Sequence, residues 1–149
     1  MIQAANEETT RPTASETYVY LPLAEVPRHL GGDCATIRVR SELPDQIKNA
    51  FVTITHDKPF ALADPGARMM EPGLPARRLL LAGRCEDRWF IEYEHGGTGK
   101  SIALMVLRAN PDHSVTFVWG RQLKDGANDI AKLRAALSNG AYLDAPYSW

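Results

Sequence analysis

The hydrophobic and polar positions of this chain follow two rhythms. Between Arg78 and Trp119 the apolar residues come in four short runs: Arg78-Leu-Leu-Leu-Ala-Gly83, Arg88-Trp-Phe-Ile-Glu-Tyr-Glu94, Ser101-Ile-Ala-Leu-Met-Val-Leu-Arg108 and Ser114-Val-Thr-Phe-Val-Trp119. Runs of this length, rich in branched and aromatic residues, read as strands. The intervals Cys85-Glu-Asp87, His95-Gly-Gly-Thr-Gly99 and Asn110-Pro-Asp-His113 are short and hold turn formers, so successive hairpins are the simplest connection. The pattern predicts a four-strand antiparallel meander over about residues 78–121. In its second run Trp89, Ile91 and Tyr93 share one face while Phe90, Glu92 and Glu94 share the other. One face is therefore expected to be buried and the other at least partly wet.

On either side of the meander the period changes. Ile47, Ala50, Phe51 and Ile54 recur at three- and four-residue spacing after Pro44 and Asp45, the apolar stripe of an amphipathic helix over about residues 44–54. Val52-Thr-Ile-Thr55 is β-branched throughout and competes as a short strand. A second helix is predicted over about 128–139, with Asn128 as N-cap, Ile130, Leu133 and Leu137 on one face and Gly140 at its end. Earlier in the chain, alternation predicts an edge strand at Thr17–Leu21, closed by Pro22. It predicts a half-buried strand at Cys34–Arg40, after a Gly31-Gly32-Asp33 turn. His56 to Ala76, with four prolines and two glycines, reads as a long irregular loop, a kind of segment that is usually functional or mobile. The tail from Ala141 carries three aromatics and is expected to pack back on the domain.

Length then fixes the organisation. A chain of 149 residues is of single-domain size, and its 44% hydrophobic and 23% charged residues suit one ordinary core. Residues 1–17, rich in Thr, Ser, Glu and Ala, have the composition of a flexible tether, leaving 18–149 as a single α+β domain. With 17 basic and 18 acidic side chains the net charge is −1, so no field draws the chain to phosphate backbones, and nucleic acid is not an expected partner. The longest apolar run, Ser101–Leu107, is far short of the ~20 residues that span a bilayer. Met1–Glu8 has neither the basic start nor the apolar core of a signal peptide. The composition of 1–17 suits what remains after a removed leader or lipid anchor, although a cytosolic tail has a similar one. The periplasm is placed ahead of the cytoplasm on that basis.

Cys34 and Cys85 belong to no CxxC or Cys/His ligand pattern, so no metal and no cofactor is expected. In an exported chain they would form one disulfide closing a long loop; in a cytosolic one they would be two buried thiols.

The motifs that suggest chemistry are weak. Gly96-Gly-Thr-Gly-Lys-Ser101 resembles the end of a phosphate-binding loop, but a glycine is required five positions before Gly99, where Glu94 stands. A glycine-rich hairpin turn is the better reading. Glu92, Glu94 and His95, with Lys100 across the turn, form the densest titratable group. General acid–base chemistry suits such a set, yet two carboxylates on one strand face, paired with Lys100 and a cross-strand neighbour, are ordinary surface pairing. His29, His56 and His113 are scattered, and no serine sits in a Gly-x-Ser-x-Gly elbow. Arg84 and Arg88 flank Cys85 and would activate its thiol, but no adjacent base accompanies it. Arg77, Arg78, Arg84, Arg88, Arg108 and Arg121 are expected to gather near Trp89 and Trp119 once the meander folds, a pairing common in protein-binding hot spots.

The first reading is thus a non-enzymatic bacterial protein-binding domain, an envelope-associated inhibitor or immunity-type protein. Its contacts are expected from the 56–76 loop and from Arg77, Arg88, Glu92, Glu94, His95, Lys100, Trp119 and Arg121. The alternatives are a small hydrolase or acid–base enzyme in which His56, Glu94 and His95 converge, and a small-ligand carrier with a cavity between the apolar sheet face and the first helix.

Overall fold

The computed structural model describes residues 19–20, 30–55, 62–64, 77–95 and 101–143. The tether, His29, His56, most of the 56–76 loop, Lys100 and the last six residues lie outside them.

The four strand-like runs form a meander: β4 (Arg77–Cys85), β5 (Arg88–His95), β6 (Ser101–Ala109) and β7 (Val115–Leu123). Short strands complete the sheet: β1 (Val19–Tyr20), β2 (Cys34–Ile37) and β3 (Leu62–Ala63). The order across it is β1-β7-β6-β5-β4-β2, and β3 lies parallel to the first residues of β4. Meander neighbours are antiparallel, whereas β1 pairs with β7 in parallel, Val19 opposite Val115. With α1 (Asp45–Thr55) before the meander and α2 (Ile130–Ser138) after it, the chain is an α+β domain. Neither helix is long and apolar enough to cross a membrane.

The expected wet face is not wet. Ile47, Ala50 and Phe51 of α1 pack on Leu79, Ile91, Tyr93, Met105 and Leu107, all with no exposed surface. Leu133 and Leu137 of α2, with Leu30, pack on Leu81, Phe90, Leu104 and Val106, whose side chains point the other way along the same strands. The sheet is therefore a middle layer covered on both faces. Phe51 meets Tyr93 edge-on, ring centroids 5.3 Å apart at 75°, so side chains occupy the space between α1 and the sheet. Two bulges tune the alternation. The register slips between Leu79 and Leu81, and again where Val106 and Leu107 face Trp119 and Phe117. The second slip turns Val118 and Trp119 into the same cluster.

Several local expectations change. Val52–Thr55 stays helical, because Phe51 and Ile54 continue the stripe that packs on the sheet; the buried Thr55 hydroxyl is satisfied by donating to the Phe51 carbonyl at 2.8 Å. The strand expected over Cys34–Arg40 ends at Ile37. Arg40–Glu42 forms a 3₁₀ turn instead, with the Arg40 N–H donating to Asp64 Oδ1 at 2.7 Å. Within the segment expected to be a wholly irregular loop, Leu62–Ala63 is a fully buried strand.

The N-cap of α2 is Asp129 rather than Asn128, because the Asp129 carboxylate accepts the Lys132 N–H at 2.8 Å. Asp129→Ala is expected to lower stability by about 1 kcal/mol in urea unfolding. Asn128→Ala should leave the midpoint unchanged, and the reverse ranking would restore Asn128 as the cap.

Candidate functional site

Strand β5 carries the densest titratable group, and its pleat divides that group. Glu92 and Glu94 project toward α2 with Phe90, whereas His95 projects toward the α1 side with Tyr93. Glu94 and His95 therefore do not converge on one pocket. His56 and Lys100 are outside the described residues.

Nor is the carboxylate pair on the surface, as the sequence reading expected. Glu92 is 0% exposed and Glu94 8%. Arg78, opposite Glu94 across β4, forms an ion pair with it. Glu92 lies between Leu81 and Leu104 in register, beneath the loop that leads into α2. Its Oε2 accepts the Ala127 N–H at 2.8 Å, and its Oε1 has no partner among the described residues. Stripped of water, this carboxyl is pushed up to about 7, a rise that the Ala127 hydrogen bond only partly offsets. On the other face His95 is held below its ordinary value by burial and by the positive charge of Arg77, its cross-strand neighbour.

The arginines do not form one cluster. Arg77 is buried, 5% exposed, at the end of the sheet where β5 terminates; Arg78 and Glu94 lie there too. Arg121 places its guanidinium 5.8 Å from the ring centroid of Trp119, and Trp119, 8% exposed, meets Tyr142 edge-on at 4.9 Å. Trp119 is thus part of the packing between the sheet and the segment after α2. Arg84, Arg88 and Arg108 lie at the opposite end but on both faces of the sheet, Arg88 beside Arg108 across β5 and β6 on the α2 side, and Arg84 beside Trp89 across β4 and β5 on the α1 side.

That opposite end is densely hydrogen-bonded. Two turns meet there, Glu86-Asp87 between β4 and β5, and Asn110–Ser114 between β6 and β7. The Ala109 N–H joins them by donating to the Asp87 carbonyl. Cys34 and Cys85 are bonded in a disulfide beside the first turn. In the second, Asp112 Oδ1 accepts both the N–H and the hydroxyl of Ser114, while Asn110 Nδ2 donates to Ser114 Oγ and Thr116 Oγ1, each at 3.0 Å. These bonds hold the Asp112 carboxyl below its ordinary value. Gln46 of α1 donates to the Ser114 carbonyl at 2.8 Å and ties the turn to the body. Each turn also holds a non-glycine residue in the left-handed region, Glu86 at φ 60° and His113 at φ 69°. Both of these side chains are exposed.

Sequence reasoning named Arg88 but not the turns beside it, because they are far apart along the chain and each resembles a plain turn. Asn-Pro-Asp-His signals a turn but not the clamp. Among the described residues, no group of three or more His, Cys, Asp and Glu side chains is arranged to hold a metal ion. Comparison with known proteins finds no matching family, no matching curated protein and no matching solved structure.

Proposed function

We propose that this chain is a non-enzymatic protein-binding domain of the bacterial envelope, of the inhibitor or immunity type, and that it meets its partner through the sheet end built from the 86–87 and 110–114 turns. One observation carries the reading: two adjacent turns both keep an exposed charged or titratable residue in a backbone conformation that disfavours it. Glu86 and His113 at positive φ are each less favourable than glycine would be by roughly 1 kcal/mol, and such outliers gather where a surface is used. The disulfide and the Asn110, Asp112 and Gln46 bonds keep these turns ordered before any partner arrives, which lowers the entropy lost on association. Arg88 and Arg108 on one face of this end, and Arg84 with the half-buried Trp89 on the other, are residue types that dominate binding hot spots. A disulfide also supports the extracytoplasmic location, since such bonds persist in oxidising compartments.

The test is capture on immobilised protein from an envelope extract of the source cells, with native mass measurement of the eluted complex. Wild-type chain should retain a stoichiometric partner, and Arg88→Glu with Arg108→Glu should weaken retention at least tenfold while far-UV circular dichroism stays unchanged. A strictly monomeric chain with no partner, or capture indifferent to these substitutions, overturns the reading.

A further inference from the structure

The two sulfurs of the disulfide occupy unlike settings. Cys85 is 2% exposed, within the apolar cluster of Phe90, Val106 and Leu133. Cys34 is half-buried on β2, an edge strand of the sheet. Across from Cys34 stands Arg134 of α2, with Nη2 3.0 Å from the Cys34 sulfur. Its guanidinium is fixed by groups other than the cysteines: Nε donates to the Leu30 carbonyl at 2.6 Å, and Nη2 also donates to the Gly32 carbonyl. Gly32 sits at φ +78°, which favours glycine, and the Glu86 carboxylate lies over it, 2.3 Å from where a Cβ would stand. Cys34 itself is positioned by the pairing of Thr36 with Gly83 and Ile37 with Ala82. Both anchors are made by groups other than the two sulfurs.

We infer that Cys34 is a thiol–disulfide exchange site, the sulfur through which this chain accepts oxidation from an external aliphatic disulfide, with Arg134 as its positioning residue and Cys85 as the resolving thiol. Before oxidation, Arg134 faces the Cys34 sulfur and favours its thiolate. Asp33, next in sequence, and Glu86, packed on Gly32, oppose this, while at the other sulfur Arg88, the register partner of Cys85, favours a thiolate that burial in the apolar cluster disfavours. The Cys34 thiolate attacks one sulfur of the external disulfide R–S–S–R, forming Cys34–S–S–R and expelling one R–S⁻. Cys85 then gives up its proton to solvent and attacks the Cys34 sulfur, closing Cys34–Cys85 and expelling the second R–S⁻. Two cysteine thiols lose two electrons in all, and one external disulfide gains them. The Cys85 thiolate that attacks in closure is also the leaving group when an external thiolate attacks Cys34, so burial of Cys85 slows closure and its reversal through the same barrier.

The experiment uses oxidised glutathione on the full chain reduced under native conditions, with acid quench and mass mapping of the adduct. The mixed disulfide should fall on Cys34, with none on Cys85. In single variants, Cys85→Ser should form the adduct at least tenfold faster than Cys34→Ser. Adding Arg134→Gln to Cys85→Ser should raise the pH midpoint of the reaction by about one unit. Because a more basic thiolate is also a better nucleophile, the rate at pH 7 then falls only about threefold. Arg134→Lys should restore part of the shift, which a merely structural role would not do. An adduct on Cys85 in the mapping experiment, which requires no variant to fold, overturns the inference. Equal rates for the two single variants, or a midpoint indifferent to Arg134, does so as well.

Discussion

Replacing Cys34 and Cys85 together by alanine is expected to lower the unfolding free energy by about 4 kcal/mol and the thermal midpoint by roughly 10 °C. The cysteines are separated by 51 positions, and the bond closes a loop that contains β2, α1, β3 and nearly all of β4. In the unfolded chain that closure removes conformations in proportion to the logarithm of loop length, which gives the stated figure. Folded-state effects are smaller. Cys34 and Cys85 are already register partners, so removing the bond leaves the β2–β4 pairing to be held by backbone hydrogen bonds. Arg134 would keep its contacts with Leu30 and Gly32. Urea unfolding of the double variant should show a lower midpoint and a steeper dependence on urea, because an uncrosslinked unfolded chain exposes more surface. Wild type unfolded in the presence of a reductant should fall within about 1 kcal/mol of the double variant. An unchanged midpoint would mean that the edge strand contributes its stability without the bond.

The elements legible in the sequence are those whose signal is local. The meander was readable because each run is bounded by turn formers and the gaps are too short for anything but hairpins. α2 was readable because Leu133 and Leu137 repeat at helical spacing between an N-cap residue and Gly140. What escaped depends on neighbours distant in sequence. The run Trp89-Phe-Ile-Glu-Tyr-Glu94 reads as amphipathic, since no local signal separates a charged residue facing solvent from one beneath a helix. β5 is flanked by β4 and β6 and covered by α1 and α2, so both of its faces are interior. A clue was present in β6, where Ile102–Leu107 is apolar at every position, the pattern of a strand buried on both sides. The parallel pairing of β1 with β7 and the two-residue β3 have no local signature, whereas the Cys34–Cys85 disulfide is one of the two states the sequence left open. For the candidate binding end, composition gave the arginines and the turn residues. Only the register put Arg88 beside Arg108, and only the backbone put Glu86 and His113 at positive φ.

Glu92→Gln is expected to make the protein more stable than wild type at pH 8 by about 3 kcal/mol and to leave it nearly unchanged at pH 4.5. In the fold the Glu92 carboxyl is raised from 4.5 to about 7 by the loss of water around it. A carboxyl raised on folding binds its proton more tightly in the folded state, so its contribution is complete below about pH 4.5. It is lost progressively as pH climbs toward 7, and above that the deficit is constant. A rise of this size corresponds to about 3 kcal/mol. Other groups act in the opposite sense. His95, held low by burial and Arg77, favours the folded chain as pH rises through its ordinary value of 6.5, and Asp112, held low by Ser114, loses its contribution only in strong acid. Absolute stability against pH therefore mixes opposing slopes, and the difference between wild type and Glu92→Gln at each pH isolates the carboxyl. Glutamine suits the test because its carbonyl oxygen can still accept the Ala127 N–H, so the difference reports ionisation and not a lost hydrogen bond. Glu92→Leu separates the two effects. It also removes the charge, but it leaves the buried Ala127 N–H unpaired and should fall about 1–3 kcal/mol below the glutamine variant at every pH. If wild type and Glu92→Gln differ by the same amount from pH 4.5 to 8, Glu92 ionises in the fold as it does in the unfolded chain. The loop over it must then admit enough water to leave the carboxyl at its ordinary value.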